Sequence, residues 1–256
     1  IDASTQSVYH FSDTDKNISL LDISETFGSY DGSFVLYDNH LDSWKIYDLE
    51  EATKRIPPES TYKIYDALLG LESGIITPEH SSMTWNGDAF PFPSWEADQD
   101  LNSAMQNSVN WYFQAIDSQL GINRVQEFLN KIEYGNQTTS SNLDLYWSDF
   151  SLKISPLEQV TLLKKFNTNE FHLNFQNVFS VKNAIKIAST PNGNFYGKTG
   201  TGRVNGQDIN GWFIGYVETS DNSYYFATNI QSDSNATGKK AFEITSDILK
   251  KLHIWN

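Results

Sequence analysis

A chain of 256 residues with 32 Asp and Glu against 18 Lys and Arg has a formal charge of −14, which excludes a nucleic-acid backbone or an anionic lipid surface as partner, since both reward clustered cations. The absence of cysteine excludes a disulfide framework and thiol chemistry. Hydrophobic residues make up 39% of the chain in short runs, none long enough to cross a bilayer, which is the composition of a packed globule.

Residues 1–20 are polar and without periodicity and are expected to form a tether to a single domain over 21–256, with any export signal or anchor outside the chain. From Gly32, GSFVLYDNHLDSWKIYDLE sets two aromatic and β-branched runs about Asn39-His40-Leu41-Asp42, a hairpin signature. Pro57-Pro58 closes this strand region. IYDALLGLESG then carries apolar residues at helical spacing, with Gly74 as its stop. From Asp98 to Lys165 the pattern is helical in three segments, LNSAMQNSVNWYFQAIDSQLG, INRVQEFLNKIEYG and SPLEQVTLLKKF. The last opens on a capping box, Ser155 and Glu158 around Pro156. After Asn194 the texture changes to strands, YGKTGTGRV, NGWFIGYVE and SYYFATNIQ, and an amphipathic helix with Phe242, Ile244, Ile248, Leu249 and Leu252 near one side closes the chain. Strands, a helical block, then strands predict an α+β fold. Its antiparallel sheet is built from both ends of the chain and flanked by terminal helices, a helical lobe is inserted over about 75–190, and a ligand cleft lies between lobe and sheet.

Some chemical motifs fail on spacing. GNFYGKTG misses a phosphate loop by one residue, because that motif sets four residues between its first glycine and the Gly-Lys pair, a position occupied here by Asn192 and not glycine, and the segment runs on into a strand. The five His are scattered without ligand spacing, so no metal is expected, and none accompanies a serine in a triad context. Ser60 and Lys63 differ, because residues at i and i+3 share one helix face and the amine can reach the hydroxyl. A serine in a first helical turn also has unpaired backbone N–H groups beside it that can hold an oxyanion. To act as a base the lysine must lose about three pKa units, which burial can supply. In chain order there follow Ser108, at a polar break in the helical lobe, and Lys198-Thr199-Gly200-Thr201-Gly202 on a strand. S-x-x-K, a second serine triplet and K-T-G together are the signature of penicillin-binding proteins and serine β-lactamases.

Ser60-Thr61-Tyr62-Lys63, Ser108-Val109-Asn110, Tyr134-Gly135-Asn136, Trp147 and Lys198-Thr199-Gly200 resemble the motif series of class D β-lactamases. STYKIY, MQNSVNWYF, YGKTGTG and NGWFIGYVE are more similar still to the extracellular penicillin-sensor domain of BlaR/MecR-type transducers of Gram-positive bacteria, from about Gly32 to the C-terminus. The resemblance implies that Ser60 is acylated and that Lys63 is the base, which in the family adds carbon dioxide to give a carbamate steadied by a tryptophan matching Trp147. It implies further that Ser108 and Lys198 shuttle protons and that the backbone N–H groups of Ser60 and Thr201 form the oxyanion hole. Thr199, Gly200 and Thr201 would line the drug, its carboxylate held by the two threonines. The arginine that class D enzymes use for that carboxylate has no counterpart, the region offering Gly238-Lys239-Lys240. Tyr134 and Asn136 are expected to hold a turn, and Trp85, Trp95, Trp111, Trp212 and Trp255 to form core or cleft wall. Asn110 stands where the enzymes carry an apolar residue, and is expected to bind the lysine after acylation and strand the ester. The expected function is therefore a β-lactam receptor on the outer face of the cell membrane, anchored outside this chain. A secreted class D β-lactamase and a peptidoglycan transpeptidase or carboxypeptidase are the alternatives.

Overall fold

The computed structural model describes residues 17–256. Its strands are β1 (Ile18–Leu20), β2 (Asp31–Asp38), β3 (Ser43–Tyr47), β4 (Lys186–Thr190), β5 (Gly193–Val204), β6 (Gln207–Glu218) and β7 (Ser223–Gln231). Among the described residues they form one sheet in the order β1-β3-β2-β7-β6-β5-β4, so the two ends of the chain meet where β2 pairs with β7. The helices are α1 (Ser24–Phe27), α2 (Leu49–Thr53), α3 (Lys63–Glu72), α4 (Leu101–Gln106), α5 (Asn110–Leu120), α6 (Ile122–Ile132), α7 (Pro156–Asn167), α8 (Phe175–Ala184) and α9 (Gly238–Lys251). Among the described residues no helix is long and apolar enough to cross a membrane.

The β2–β3 turn forms because Asp38 Oδ1 accepts from the backbone N–H of His40 and Leu41, both at 3.1 Å, an Asx turn that reverses the chain. Along β2 the side chains alternate: Phe34 and Leu36 enter a core shared with α9, whereas Val35 and Tyr37 enter the larger core shared with the helical lobe. α7 starts on the expected capping box, Ser155 accepting from Glu158 N–H and Glu158 from Ser155 N–H.

Two expectations change. The sheet is mixed, because β1 pairs with β3 in parallel, Ile18 opposite Trp44. A three-residue edge strand is too short to show alternation, and the chain reverses twice after it, through α1 into β2 and again at the β2–β3 turn, so that β3 runs in the direction of β1. The expected tether over 1–20 lies outside the described residues up to 16, and Ile18–Leu20 belong to the sheet instead. α8 and β4 carry no clear sequence signal: Phe175 and Phe179 of α8 are exposed, blurring its apolar face.

Candidate active site

Two prolines leave Pro58 and its neighbours little freedom, and four anchors fix the turn that follows. The buried Arg55 guanidinium donates from Nε and Nη2 to Glu158 of α7, at 3.1 and 2.6 Å. Ile56 exchanges backbone hydrogen bonds with Ile154 at 3.1 and 2.9 Å. Pro57 carbonyl accepts from Trp212 Nε1 at 2.8 Å and from Asn210 Nδ2 at 3.1 Å. Gln159 Nε2 donates to Thr61 Oγ1, which donates on to Pro58 carbonyl at 2.6 Å. Ser60 therefore sits in a docked 3₁₀ turn, Glu59–Tyr62, that runs directly into α3.

In this geometry Lys63 Nζ donates to Ser60 Oγ at 2.8 Å and to Asn110 Oδ1 at 2.7 Å. The lysine is buried, and its nitrogen lies 5.6 Å from the ring centres of both Phe113 and Trp147. Burial pushes the ammonium down to about 7, against the opposing pull of Asp66 and Glu59. Asp66 does not hold the charge in place: it is itself fully buried, and burial, with the charge of the neighbouring Asp117, drives its carboxyl toward the neutral acid, while burial does the same to Asp117 against the opposing hydrogen bond from Asp66.

The second pair comes from the other wall. α4 and α5 are separated by Asn107-Ser108-Val109, and Ser108 takes a left-handed φ of 53°, which turns its hydroxyl to the cleft. Lys198 Nζ donates to Ser108 Oγ and to Thr199 carbonyl, both at 3.0 Å. Burial pushes Lys198 well down, and the nearby Lys63 charge pushes the same way. Gly200 lets β5 press against the turn, since a Cβ there would stand 3.2 Å from Ser60 N and 3.1 Å from Glu59 Cβ. Gly238 at the start of α9 packs on β5 from the far side and donates its N–H to Thr201 Oγ1 at 2.9 Å. Thr201 thus keeps its own O–H free to donate.

Ser60, Ser108, Asn110, Thr199, Gly200 and Thr201 line one cleft of about 280 Å³, roofed by Phe92, Ser94 and Trp95. Lys63 and Lys198 lie behind it, and Trp147 is a buried wall whose carbonyl accepts from Glu59 N–H at 3.0 Å. Tyr134-Gly135-Asn136 stands off the cleft and braces the segment leading to Ile154: Asn136 donates to Ser151 carbonyl and accepts from Lys153 N–H. Lys239 and Lys240 sit at the start of α9, where Lys240 pairs with Glu243.

Sequence reasoning missed Phe92 and Ser94, which sit in an unpatterned loop, and the anchoring role of Trp212 and Asn210, which needs long-range contacts. Glu59 was also passed over, although an acidic residue between a double proline and the candidate nucleophile was a signal to read.

The cleft offers the Ser60 hydroxyl beside an amine that burial brings down to about 7, and a second hydroxyl–amine pair, Ser108 and Lys198, across from it. These are the parts of an acyl-transfer site. Residues 33–250 match the model of the penicillin binding protein transpeptidase domain. The regulatory protein BlaR1 of Bacillus licheniformis is 46% identical over 93% of this chain, and the chain spans 40% of that protein's length. The solved C-terminal domain of the Bacillus licheniformis BlaR penicillin-receptor is 46% identical over 94% of this chain and 98% of its own, with a TM-score of 0.91. The class D β-lactamase BAT-2 is 36% identical over 92% and 97%, with a TM-score of 0.86.

Proposed function

We propose that this chain, which belongs to the penicillin binding protein transpeptidase family, is a β-lactam receptor domain: penicillins and cephalosporins acylate Ser60, and the ester persists. One observation carries this reading. The amine that activates Ser60 at 2.8 Å is also bound at 2.7 Å by the amide oxygen of Asn110.

In acylation Ser60 Oγ attacks the lactam carbonyl while its proton passes to Lys63 Nζ, and the oxygen that becomes negative turns toward the N–H groups of Ser60 and Thr201. The ring C–N bond then breaks. The leaving nitrogen takes a proton from Ser108 Oγ, which regains one from Lys198 Nζ at 3.0 Å when that amine is protonated. Thr199 and Thr201 receive the drug carboxylate, the latter through the hydroxyl hydrogen that Gly238 leaves free.

Hydrolysis of the ester needs a base for water, and the free amine of Lys63 is the group in place. Asn110 holds it, and a carbamate on Lys63 would bring an anionic oxygen against the Asn110 carbonyl oxygen, so the surroundings favour the free amine. Loss of a general base costs about 10²–10⁴ in rate. Set against an ordinary turnover of about 10 s⁻¹, that leaves an ester lifetime from seconds to about a quarter of an hour. A lifetime at the long end suits a signal and not a hydrolase.

The likeness to the BlaR penicillin-receptor domain supports this reading, and the likeness to BAT-2 supports the alternative of a hydrolysing class D β-lactamase. On the receptor reading the chain is one domain of a longer protein, held on the outer face of a Gram-positive cell membrane through segments outside this chain. Excess penicillin separates the readings: uptake of one equivalent with a lasting adduct on Ser60 supports the receptor, continuous drug loss the hydrolase, and cleavage of a D-Ala-D-Ala peptide a transpeptidase or carboxypeptidase.

A further inference from the structure

Glu59 precedes the nucleophile and takes no part in the chemistry above, yet its setting is specific. Its φ of 52° lies in the left-handed region that a glutamate rarely occupies, and the residue is 6% exposed. The side chain enters the space that Gly202 leaves by having no Cβ: a Cβ at Gly202 would collide with Glu59 Oε1 and stand 2.8 Å from its Cδ. Gly200 lies against Glu59 Cβ in the same way, at 3.1 Å. Oε1 accepts from Asn210 Nδ2 at 3.2 Å; Asn210 Oδ1 accepts from Asn229 Nδ2 at 2.8 Å, and Asn229 Oδ1 from Gln231 Nε2 at 3.0 Å. The carboxyl thus ends a chain of amides running across β6 and β7, with its backbone N–H fixed on Trp147 carbonyl.

Behind it lies a small cavity of about 150 Å³, lined by Ile56, Pro57, Phe150, Val204, Ile209 and Gln231. The charged groups around the carboxyl are few. From α3 comes Lys63, whose amine is committed to Ser60 and Asn110. From β5 come Lys198, bound to Ser108, and Arg203, whose Nε donates to Asp208 of β6 at 2.8 Å. Ser148 and Phe150 on the remaining side carry no charge.

We propose that Glu59 is a positioning residue: as a buried neutral acid wedged over Gly202 it locks the edge of β5 against Ser60, and its ionisation unlocks that edge and ends acylation. This rests on the receptor reading of the same cleft. An ionised carboxylate in this slot has one amide donor and no cation against it, so it is drawn toward the cavity behind it, which Arg203 also lines, and the Ser60–Gly200 contact that sets the oxyanion hole loosens. Burial raises the Glu59 carboxyl to about 8, against the opposing effects of Asn210 and Lys63, while Lys63 titrates near 7. Acylation then rises with pH as Lys63 loses its proton and falls as Glu59 loses its own, a bell whose two apparent values belong to the pair.

The test is the second-order acylation constant with a fluorescent penicillin from pH 6 to 10 for the parent chain, Glu59→Gln, Gly202→Ala, Glu59→Ala and Glu59→Ala/Gly202→Ala. The parent is expected to lose about tenfold for each pH unit above 8, whereas Glu59→Gln keeps the rising limb and stays within about threefold of its plateau. Gly202→Ala is expected to cost about tenfold or more in the parent and threefold or less on top of Glu59→Ala. An unchanged bell in Glu59→Gln, or an equal cost of Gly202→Ala in both backgrounds, overturns the proposal. A drug-free arm keeps the outcome separate from the receptor reading. Because the folded chain holds the Glu59 proton up to about 8 and the unfolded chain sheds it near 4.5, parent stability falls with rising pH across that window relative to Glu59→Gln. If the parent takes up no drug the receptor reading fails, and identical pH profiles of the two melting curves then overturn the role of Glu59.

Discussion

Replacing Asn110 by Val tests whether the amide is what makes the ester last. Lys63 Nζ donates to Asn110 Oδ1 at 2.7 Å in a pocket walled by Phe113 and Trp147, so the bond is short and shielded from water. Such a bond contributes about 1–2 kcal/mol net, which multiplies the share of Lys63 free to accept a proton by about 5–30 when it is removed. Valine keeps most of the volume, takes away the acceptor and dries the site further, which shifts Lys63 toward the neutral amine. Deacylation is expected to accelerate about tenfold, and acylation, which draws on the same amine, by a similar factor. The assay is to form the adduct with benzylpenicillin, remove free drug, and follow the fraction of acylated protein by intact mass over hours. An adduct that lasts as long in Asn110→Val as in the parent refutes the role given to Asn110. The contact is present before any drug arrives, so the amide restrains Lys63 in both states and does not wait for the ester.

Ser60→Ala should give no adduct at any drug concentration, while Lys63→Ala should fold and acylate at least about 100-fold more slowly, both read by fluorescent penicillin on a gel. Lys63 also leaves a signature in stability. Its value is about 7 in the fold and about 10.4 in the unfolded chain, so the unfolded state holds the extra proton between them and stability rises with pH across that window. Lys63→Met should therefore exceed the parent in urea denaturation at pH 6 by a few kcal/mol, with the gap closing toward pH 10; a constant gap argues against a charge-burial penalty. Gly200→Ala should slow acylation about tenfold with little loss of melting temperature, because the added methyl meets Ser60 N and Glu59 Cβ at 3.1–3.2 Å and forces β5 back by a few tenths of an ångström. Trp212→Phe removes the 2.8 Å bond to Pro57 carbonyl from a buried site and should cost about 1–3 kcal/mol of stability as well as acylation rate.

Much of the order of strands and helices was legible because it rests on local signals: the hairpin signature after β2, the capping box of α7 and the aromatic-rich strand runs of β5 to β7. The site was legible for the same reason, since Ser60 and Lys63 share a helical turn and a K-T-G strand can be recognised on its own. What stayed hidden depends on long-range packing. β1 has three residues and no pattern, and the exposed Phe175 and Phe179 mask α8. No spacing rule reveals that Trp212, 155 residues away, holds Pro57, or that the second glycine of the K-T-G-T-G run makes room for Glu59. Asn110 was readable as a polar residue in an expected dry place, but its bond to Lys63 needed α5 set against α3.

The central claim, a lasting ester on Ser60, is tested most directly by mixing the chain with a tenfold excess of benzylpenicillin and following both the protein mass and the free drug. One equivalent of drug consumed, a mass gain of one penicilloyl group on the peptide bearing Ser60, and an adduct still present after many minutes is the expected result. Drug consumed continuously beyond one equivalent, with the protein returning to its starting mass, contradicts it.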